Sequence, residues 1–225
     1  MLSNYFSSLQ SILVPLVTAG IILAGLHFRK LIHVLKSPPK INPLGASIAL
    51  ILGSGGHTTE LLRIAEDLDF SLNYTSRTWV YFGTDELSMI RAVELERSKQ
   101  NEKRTLSAPI YKNIPRAREV GQSYITSIWT TLICLEKCIS FIFDTKPDIV
   151  LCNGPGSCVM IAYACLIYKF LAVRNIRIIY VESFARVESL SLSGRLLLPI
   201  VDRFIVQWQH LAEKYEGTEY YGVLA

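Results

Sequence analysis

The sequence predicts an α/β fold: a Rossmann-like doubly wound parallel sheet behind one N-terminal transmembrane helix. Three observations predict it. Ile48-Ala-Leu-Ile-Leu52 is an apolar run bounded by glycine, the pattern of a strand buried on both faces of a parallel sheet. It leads through Gly53-Ser-Gly-Gly-His-Thr-Thr-Glu60 into a helical pattern with Leu61, Leu62, Ile64, Ala65 and Leu68 on its apolar positions. The same order of strand, glycine turn and helix recurs at Pro147 to Cys152, Asn153-Gly-Pro-Gly-Ser157 and Cys158 to Leu171.

From the N-terminus, residues 1–28 contain no Lys, Arg, Asp or Glu, and Ile12 to Leu26 is apolar apart from Thr18. With its uncharged flanks this stretch spans a hydrocarbon core of roughly 30 Å, so residues 9–28 read as a membrane anchor after a short lumenal segment, 1–8. Arg29, Lys30, Lys36 and Lys40 follow it, and no basic residue precedes it. The positive-inside rule then puts residues 29 onward in the cytosol. A cleaved signal peptide is the competing reading, and it lacks a basic n-region. Residues 29–45 form a basic, proline-rich linker too short to let the following domain leave the membrane surface. The acceptor sequence Asn73-Tyr-Thr75 is then expected to carry no glycan.

The domain itself is placed at 46–215. In the first turn, Thr58 or Thr59 is expected to cap the helix. Arg77 to Phe82 reads as a second strand, and Asp85 to Lys103 as a charge-laced helix facing solvent. Ser107 to Gln122 reads as a loop carrying Arg116 and Arg118, either a pair reaching for a phosphate or a solvated surface. Ile125 to Phe143 is strongly apolar but holds Glu136-Lys137. It is expected to be a crossover helix with one face near the bilayer, not a second span. Ile176-Arg-Ile-Ile-Tyr-Val181 is the next strand, with Glu182-Ser183 at its carboxyl end. There Glu182 either accepts from sugar hydroxyls or serves a helix N-cap or an ion pair with Arg186. Ser189 to Leu198 is a helix and Arg203 to Trp208 the last strand. Residues 216–225 end in Tyr220-Tyr-Gly-Val-Leu-Ala225, an apolar tail that docks on its own domain or on another chain.

A net charge of +4 across 225 residues, without a basic run interleaved with aromatics, gives no reason to expect a nucleic-acid partner. Five cysteines in apolar segments, with no Cys-x-x-Cys pair, read as reduced core residues, and no metal ligand set is assigned. The first turn lacks the Gly-Lys-Ser/Thr of a P-loop. It is also a poor dinucleotide fingerprint, because Thr58 stands where the third glycine belongs. Asp85 after the second strand supports the dinucleotide reading in part, which leaves a single-chain Rossmann oxidoreductase as the alternative. What the turns do favour is a diphosphate: glycine N–H groups and a helix N-terminus converge on one spot, with the imidazole of His57 beside it.

Leu52-Gly-Ser-Gly-Gly-His-Thr-Thr-Glu60, Asn153-Gly-Pro-Gly156, Val181-Glu-Ser-Phe-Ala-Arg186 and Tyr220-Tyr-Gly-Val223, in that order behind an apolar N-terminus, resemble one family. It is the membrane-anchoring subunit of the two-chain UDP-N-acetylglucosamine transferase of the endoplasmic reticulum, the asparagine-linked glycosylation protein fourteen family. The glycine turn also resembles that of the bacterial transferase that makes the lipid-linked peptidoglycan precursor. The resemblance implies the acceptor-side half of a GT-B glycosyltransferase, with no covalent cofactor and UDP-N-acetylglucosamine (UDP-GlcNAc) as donor. It implies a small soluble donor-binding partner, of the asparagine-linked glycosylation protein thirteen family, held by Tyr220, Tyr221, Gly222, Val223 and Leu224. The implied reaction adds a second GlcNAc, β-1,4 and with inversion, to GlcNAc-diphosphate-dolichol at the cytosolic face of the endoplasmic reticulum. The first-step GlcNAc-phosphate transferase is a further expected neighbour. His57 and Glu182 are then the catalytic candidates. Gly53, Ser54, Gly55, Gly56, Thr58, Arg116, Arg118, Asn153, Gly154, Gly156, Ser183 and Arg186 are the candidates for substrate binding.

Overall fold

The computed structural model describes residues 2–36, 45–102, 107–119, 121–154 and 156–224. The linker Ser37-Pro-Pro-Lys-Ile-Asn-Pro43, Pro155 of the second turn and Ala225 lie outside the described residues.

The expected doubly wound sheet is present. Seven strands run parallel in the order β3-β2-β1-β4-β5-β6-β7, with β1 at Ser47–Ile51, β2 at Ser76–Phe82, β3 at Ile110–Ile114, β4 at Ile149–Asn153, β5 at Arg177–Val181, β6 at Arg203–Val206 and β7 at Thr218–Tyr220. The chain winds outward from β1 to β3, crosses back, and winds the other way from β4 to β7. The order reverses between β1 and β4, which pair directly through Ile48–Ile149 to Ile51–Cys152. That reversal opens a crevice at the carboxyl ends of these two strands, and both glycine turns leave from there.

Side-chain alternation explains why the central strands lack a polar face. From β1, Ala49 and Ile51 enter one core with Val150, Cys152, Ile178 and Tyr180; Ile48, Leu50 and Leu52 enter the other with Leu151 and Val181. Helices α4 (Tyr124–Thr145) and α5 (Gly156–Phe170) cover the first core; α2 (Gly56–Glu66) and α3 (Glu86–Glu102) cover the second. All five cysteines are free and buried. Two short helices, α6 (Leu192–Leu197) and α7 (Gln209–Lys214), flank β6.

The structure differs from the sequence expectations in four places. The segment read as a loop from Ser107 contains β3, an edge strand of mostly exposed residues whose polarity hid it. The solvent-facing helix α3 buries Ser88, Ala92 and Glu96 along one face. There the Glu96 carboxylate accepts from Arg77 Nε at 2.9 Å and Trp79 Nε1 at 2.7 Å. Neither Thr58 nor Thr59 caps α2, because the helix begins at Gly56 with Gly55 as its cap. Arg203 to Trp208 does not hold the last strand: β6 ends at Val206, and Thr218–Tyr220 of the tail adds β7 to the sheet edge.

Helix α1 runs from Leu2 to Lys36, longer than the span read for the anchor. Among the described residues, α1 and α4 are long and apolar enough to cross a membrane by length and composition. Helix α4 buries Cys134, Cys138, Phe141 and Ile142 against the sheet while Ile125, Ile128, Trp129 and Leu132 stay exposed. It therefore packs as a crossover helix with one bare apolar face. Helix α1 meets the far end of α5, where His27 Nε2 bonds the Phe170 carbonyl at 2.8 Å and the two rings lie 5.5 Å apart.

Candidate functional site

Two clefts flank the switch point, with Gly156 in the wall of both. The first, about 350 Å³, is lined by Gly53, Ser54, Asp85, Arg116 and Arg118 among others. The second, about 380 Å³, is lined by His57, Gly154, Tyr180, Glu182, Ser183 and Arg186 with the start of α6. The fold thus divides the sequence-predicted residues into two groups. The arginines and the front of the first glycine turn face one cleft; the imidazole and the β5 motif face the other.

The first turn is held from beneath. Thr58 is buried, and its hydroxyl donates to the Gly53 carbonyl at 2.5 Å and pairs with Ser88 Oγ at 2.7 Å. Its oxygen is committed to the turn. Gly55 has φ +61°, so the chain turns into α2 through a conformation that costs a side-chain-bearing residue strain. The N–H groups of the first turn of α2 have no acceptor within the helix and carry the positive end of its dipole.

Arg116 Nε donates to the Phe82 carbonyl at 3.3 Å, and its Nη1 lies 3.7 Å from Glu119. Arg118 donates from Nε and Nη2 to the Gln122 carbonyl at 3.0 and 2.9 Å. Both guanidinium groups are anchored by backbone carbonyls, and both residues line the first cleft. Asp85, the residue that favoured a dinucleotide, instead caps α3: its carboxylate accepts from Ser88 N at 3.3 Å and Ser88 Oγ at 2.8 Å.

Around the second cleft the polar groups are linked. His57 Nδ1 lies 3.2 Å from Asn153 Oδ1, and Asn153 Nδ2 donates to Glu60 Oε2 at 2.9 Å. Ser183 Oγ donates to Glu60 Oε1 at 2.7 Å. Asn153 is fully buried at the end of β4. Gly154 follows with φ +123°, and a Cβ there would come 2.9 Å from the ring of His57. A side chain at 154 would push the imidazole aside. Glu60 is missing from the sequence-derived site residues. Its signal is spacing: three residues after His57 in one helix, it shares a face with the imidazole.

Glu182 is buried with both oxygens engaged. Oε1 accepts from Ser183 N at 3.1 Å and Tyr180 Oη at 3.4 Å; Oε2 accepts from Ser191 N at 3.0 Å and Ser191 Oγ at 3.1 Å. Ser191 caps α6 by accepting from Gly194 N at 2.9 Å. Of the roles open to Glu182, the geometry gives it a helix N-cap contact. Burial, and then the nearby Glu182 carboxylate, push the Tyr180 phenol well above its ordinary range, so it stays a hydroxyl donor. Arg186 is exposed on the turn that follows, its backbone N donating to the Ser183 carbonyl at 2.9 Å.

The tail lies along the β7 edge of the sheet. Arg203 pairs with Glu219 and with the Tyr221 hydroxyl, and Leu224 N donates to Gln207 Oε1 at 2.8 Å. Hydrogen bonds from Arg203 and Tyr221 hold the Glu219 carboxyl below its ordinary range. The rings of Tyr220 and Tyr221 and the side chain of Val223 remain exposed. Among the described residues, no group of three or more His, Cys, Asp or Glu is arranged to hold a metal ion.

Residues 48–224 match the family model described as "Oligosaccharide biosynthesis protein Alg14 like". The UDP-N-acetylglucosamine transferase subunit ALG14 of Candida albicans is 48% identical over 177 residues, covering 79% of this chain and 77% of that protein. The human protein of the same name is 40% identical over 213 residues, covering 94% of this chain and 97% of its own. Among solved structures, Acinetobacter baumannii MurG matches with a TM-score of 0.53 at 13% identity, over 79% of this chain. The match covers 45% of that protein, so this chain corresponds to about half of it, and the likeness is one of fold.

Proposed function

The chain belongs to the Alg14 family of UDP-N-acetylglucosamine transferase subunits, and from that premise we propose that it is the membrane-anchored, acceptor-side half of a two-chain enzyme. The reaction is transfer of GlcNAc from UDP-GlcNAc to GlcNAc-diphosphate-dolichol, β-1,4 and with inversion, at the cytosolic face of the endoplasmic reticulum. The observation that carries the reading is the pairing of two clefts across the switch point. One is walled by anchored guanidinium groups and a glycine turn, the other by an imidazole and buried hydroxyls.

Each part has a physical role in this reading. Arg116 and Arg118, with Gly53 and Ser54 of the glycine turn, hold the lipid-linked diphosphate in the first cleft, while Gly55 and Gly56 lie outside its lining and shape the turn. The acceptor sugar extends past Gly156 into the second cleft, where His57 takes the proton from its attacking hydroxyl. Glu182, whose oxygens are already engaged, keeps Ser191 and the α6 wall in place. Helix α1 spans the membrane with its N-terminus in the lumen. The exposed apolar face of α4 rests against the bilayer, which brings the crevice to the depth of the acceptor headgroup.

The donor half comes from a separate small soluble subunit of the asparagine-linked glycosylation protein thirteen family. It docks on the exposed Tyr220, Tyr221 and Val223 beside the β7 edge, and without it this chain is inactive. The test uses membranes carrying the full chain, or the chain lacking its last six residues, incubated with the soluble partner. Partner in the membrane pellet and labelled GlcNAc on the lipid acceptor are both recorded. The truncation is expected to lose both. Transfer by the full chain with no partner present would make it a complete enzyme and overturn the half-enzyme assignment.

A further inference from the structure

The linked groups behind the second cleft contain an asymmetry that fixes a proton. A carboxylate only accepts hydrogen bonds, whereas a side-chain amide has one accepting and one donating end. Glu60 Oε2 therefore faces the amide nitrogen of Asn153, at 2.9 Å. The carbonyl oxygen of Asn153 is then turned towards His57 Nδ1, 3.2 Å away. An accepting oxygen requires that Nδ1 carry the hydrogen, which leaves the lone pair of the neutral imidazole on Nε2. Ser183 Oγ donates to the second oxygen of Glu60 at 2.7 Å and keeps the carboxylate from rotating away. Asn153 is fully buried, so water does not compete for its amide.

We propose that Glu60 is a positioning residue that acts through Asn153 to hold His57 in the Nδ1–H tautomer, with Nε2 ready to accept a proton. The proposal rests on reading His57 as the base of the transfer. Glu60 itself touches no substrate.

The experiment uses four variants of the full chain: Glu60→Gln, Asn153→Asp, the double Glu60→Gln/Asn153→Asp, and His57→Ala. In Glu60→Gln the new amide oxygen still accepts from Ser183, and the amide nitrogen now faces Asn153. With the Ser183 hydroxyl still donating to that oxygen, Asn153 is expected to turn over, present its NH2 to Nδ1, and drive His57 into the Nε2–H tautomer. In the double variant the introduced amide donates to one oxygen of the introduced carboxylate, and the other oxygen again accepts from Nδ1–H. The first readout is the tautomer, from nitrogen chemical shifts of histidine-labelled chain in micelles, with the His57 signal identified by its loss in His57→Ala. The second is the rate of GlcNAc transfer to GlcNAc-diphosphate on a short isoprenoid, in membranes with matched levels of recruited partner.

Glu60→Gln is expected to switch the tautomer and lower kcat by about 10²-fold or more, the usual share of a positioned base. The double variant is expected to restore both the tautomer and most of kcat, which a merely structural role for Glu60 does not predict. Asn153→Asp alone sets two carboxylates face to face and is expected to be poorly active, with recovery as pH falls and one of them protonates. An unchanged His57 tautomer in Glu60→Gln, or a double variant no better than Glu60→Gln, overturns the proposal. Full transfer by His57→Ala overturns the base reading, and the tautomer of Glu60→Gln then still decides the relay separately.

Discussion

Replacing Glu96 with alanine tests the ion pair that ties α3 to the sheet. The Arg77 guanidinium has no exposed side-chain surface and Glu96 only 6%. The carboxylate accepts from Arg77 Nε at 2.9 Å, from Arg77 Nη2 at 3.1 Å and from Trp79 Nε1 at 2.7 Å. The face of Phe70 lies 5.0 Å from the guanidinium carbon. Removing the carboxylate leaves a buried cation without a counter-charge, held by the Thr75 and Ser107 carbonyls and the Ser107 hydroxyl, and strands the indole N–H. Breaking one side of a buried pair costs about 3–5 kcal/mol. For a domain of this size that lowers Tm by roughly 6–20 °C. The double change Arg77→Met/Glu96→Met removes both charges and leaves mainly the indole unpaired, a cost of about 1–3 kcal/mol. Unfolding of the full chain in detergent micelles, followed by tryptophan fluorescence, measures both. A loss under about 1 kcal/mol in Glu96→Ala, or a double variant as unstable as the single, would refute the reasoning.

Four further outcomes are expected. Gly154→Ala combines strain at φ +123° with a methyl 2.9 Å from the His57 ring, so transfer falls by about 10²-fold while partner recruitment is unchanged, as paired activity and pelleting assays will register. Cys165 is pushed up to about 12 by burial, and Cys152 is raised by its hydrogen bond with Cys158 and by burial, so iodoacetamide at pH 8 labels neither in the native chain. Because these folded values exceed the unfolded thiol value of about 8.5, their stabilising contribution is complete below that pH and declines as pH rises above it, which unfolding measured from pH 7 to 10 will detect. Asn73 is exposed yet carries no glycan if the domain is cytosolic; a mobility shift on glycosidase treatment would reverse the topology.

The buried strands were legible because parallel sheets demand it. β1, β4 and β5 are covered on both faces, so apart from Ser47, Asn153 and Arg177 at their ends their residues are apolar, and a run such as Ile48 to Leu52 fits few places besides a sheet interior. The edges were not. β3 exposes most of its five residues, and β7 has only three, so neither carries an apolar run to announce it. Charge misled in α3, where Glu96 reads as solvent-facing until Arg77 and Trp79 are seen beside it.

By itself the sequence determined the fold class, the two glycine turns at one sheet edge and an apolar N-terminal helix, because periodicity and glycine placement are local properties of the chain. Its four motifs, taken together, also pointed to the family. Only the tertiary structure decided how the candidate residues divide between two clefts, that Glu182 is occupied with Ser191, and that Glu60 stands behind His57 and Asn153. The reason is physical. His57 and Asn153 are 96 positions apart, and Ser183 and Glu60 are 123 apart. Which end of an amide faces which partner is settled by hydrogen bonding across strands, and that information exists only once the sheet has brought the strand ends together.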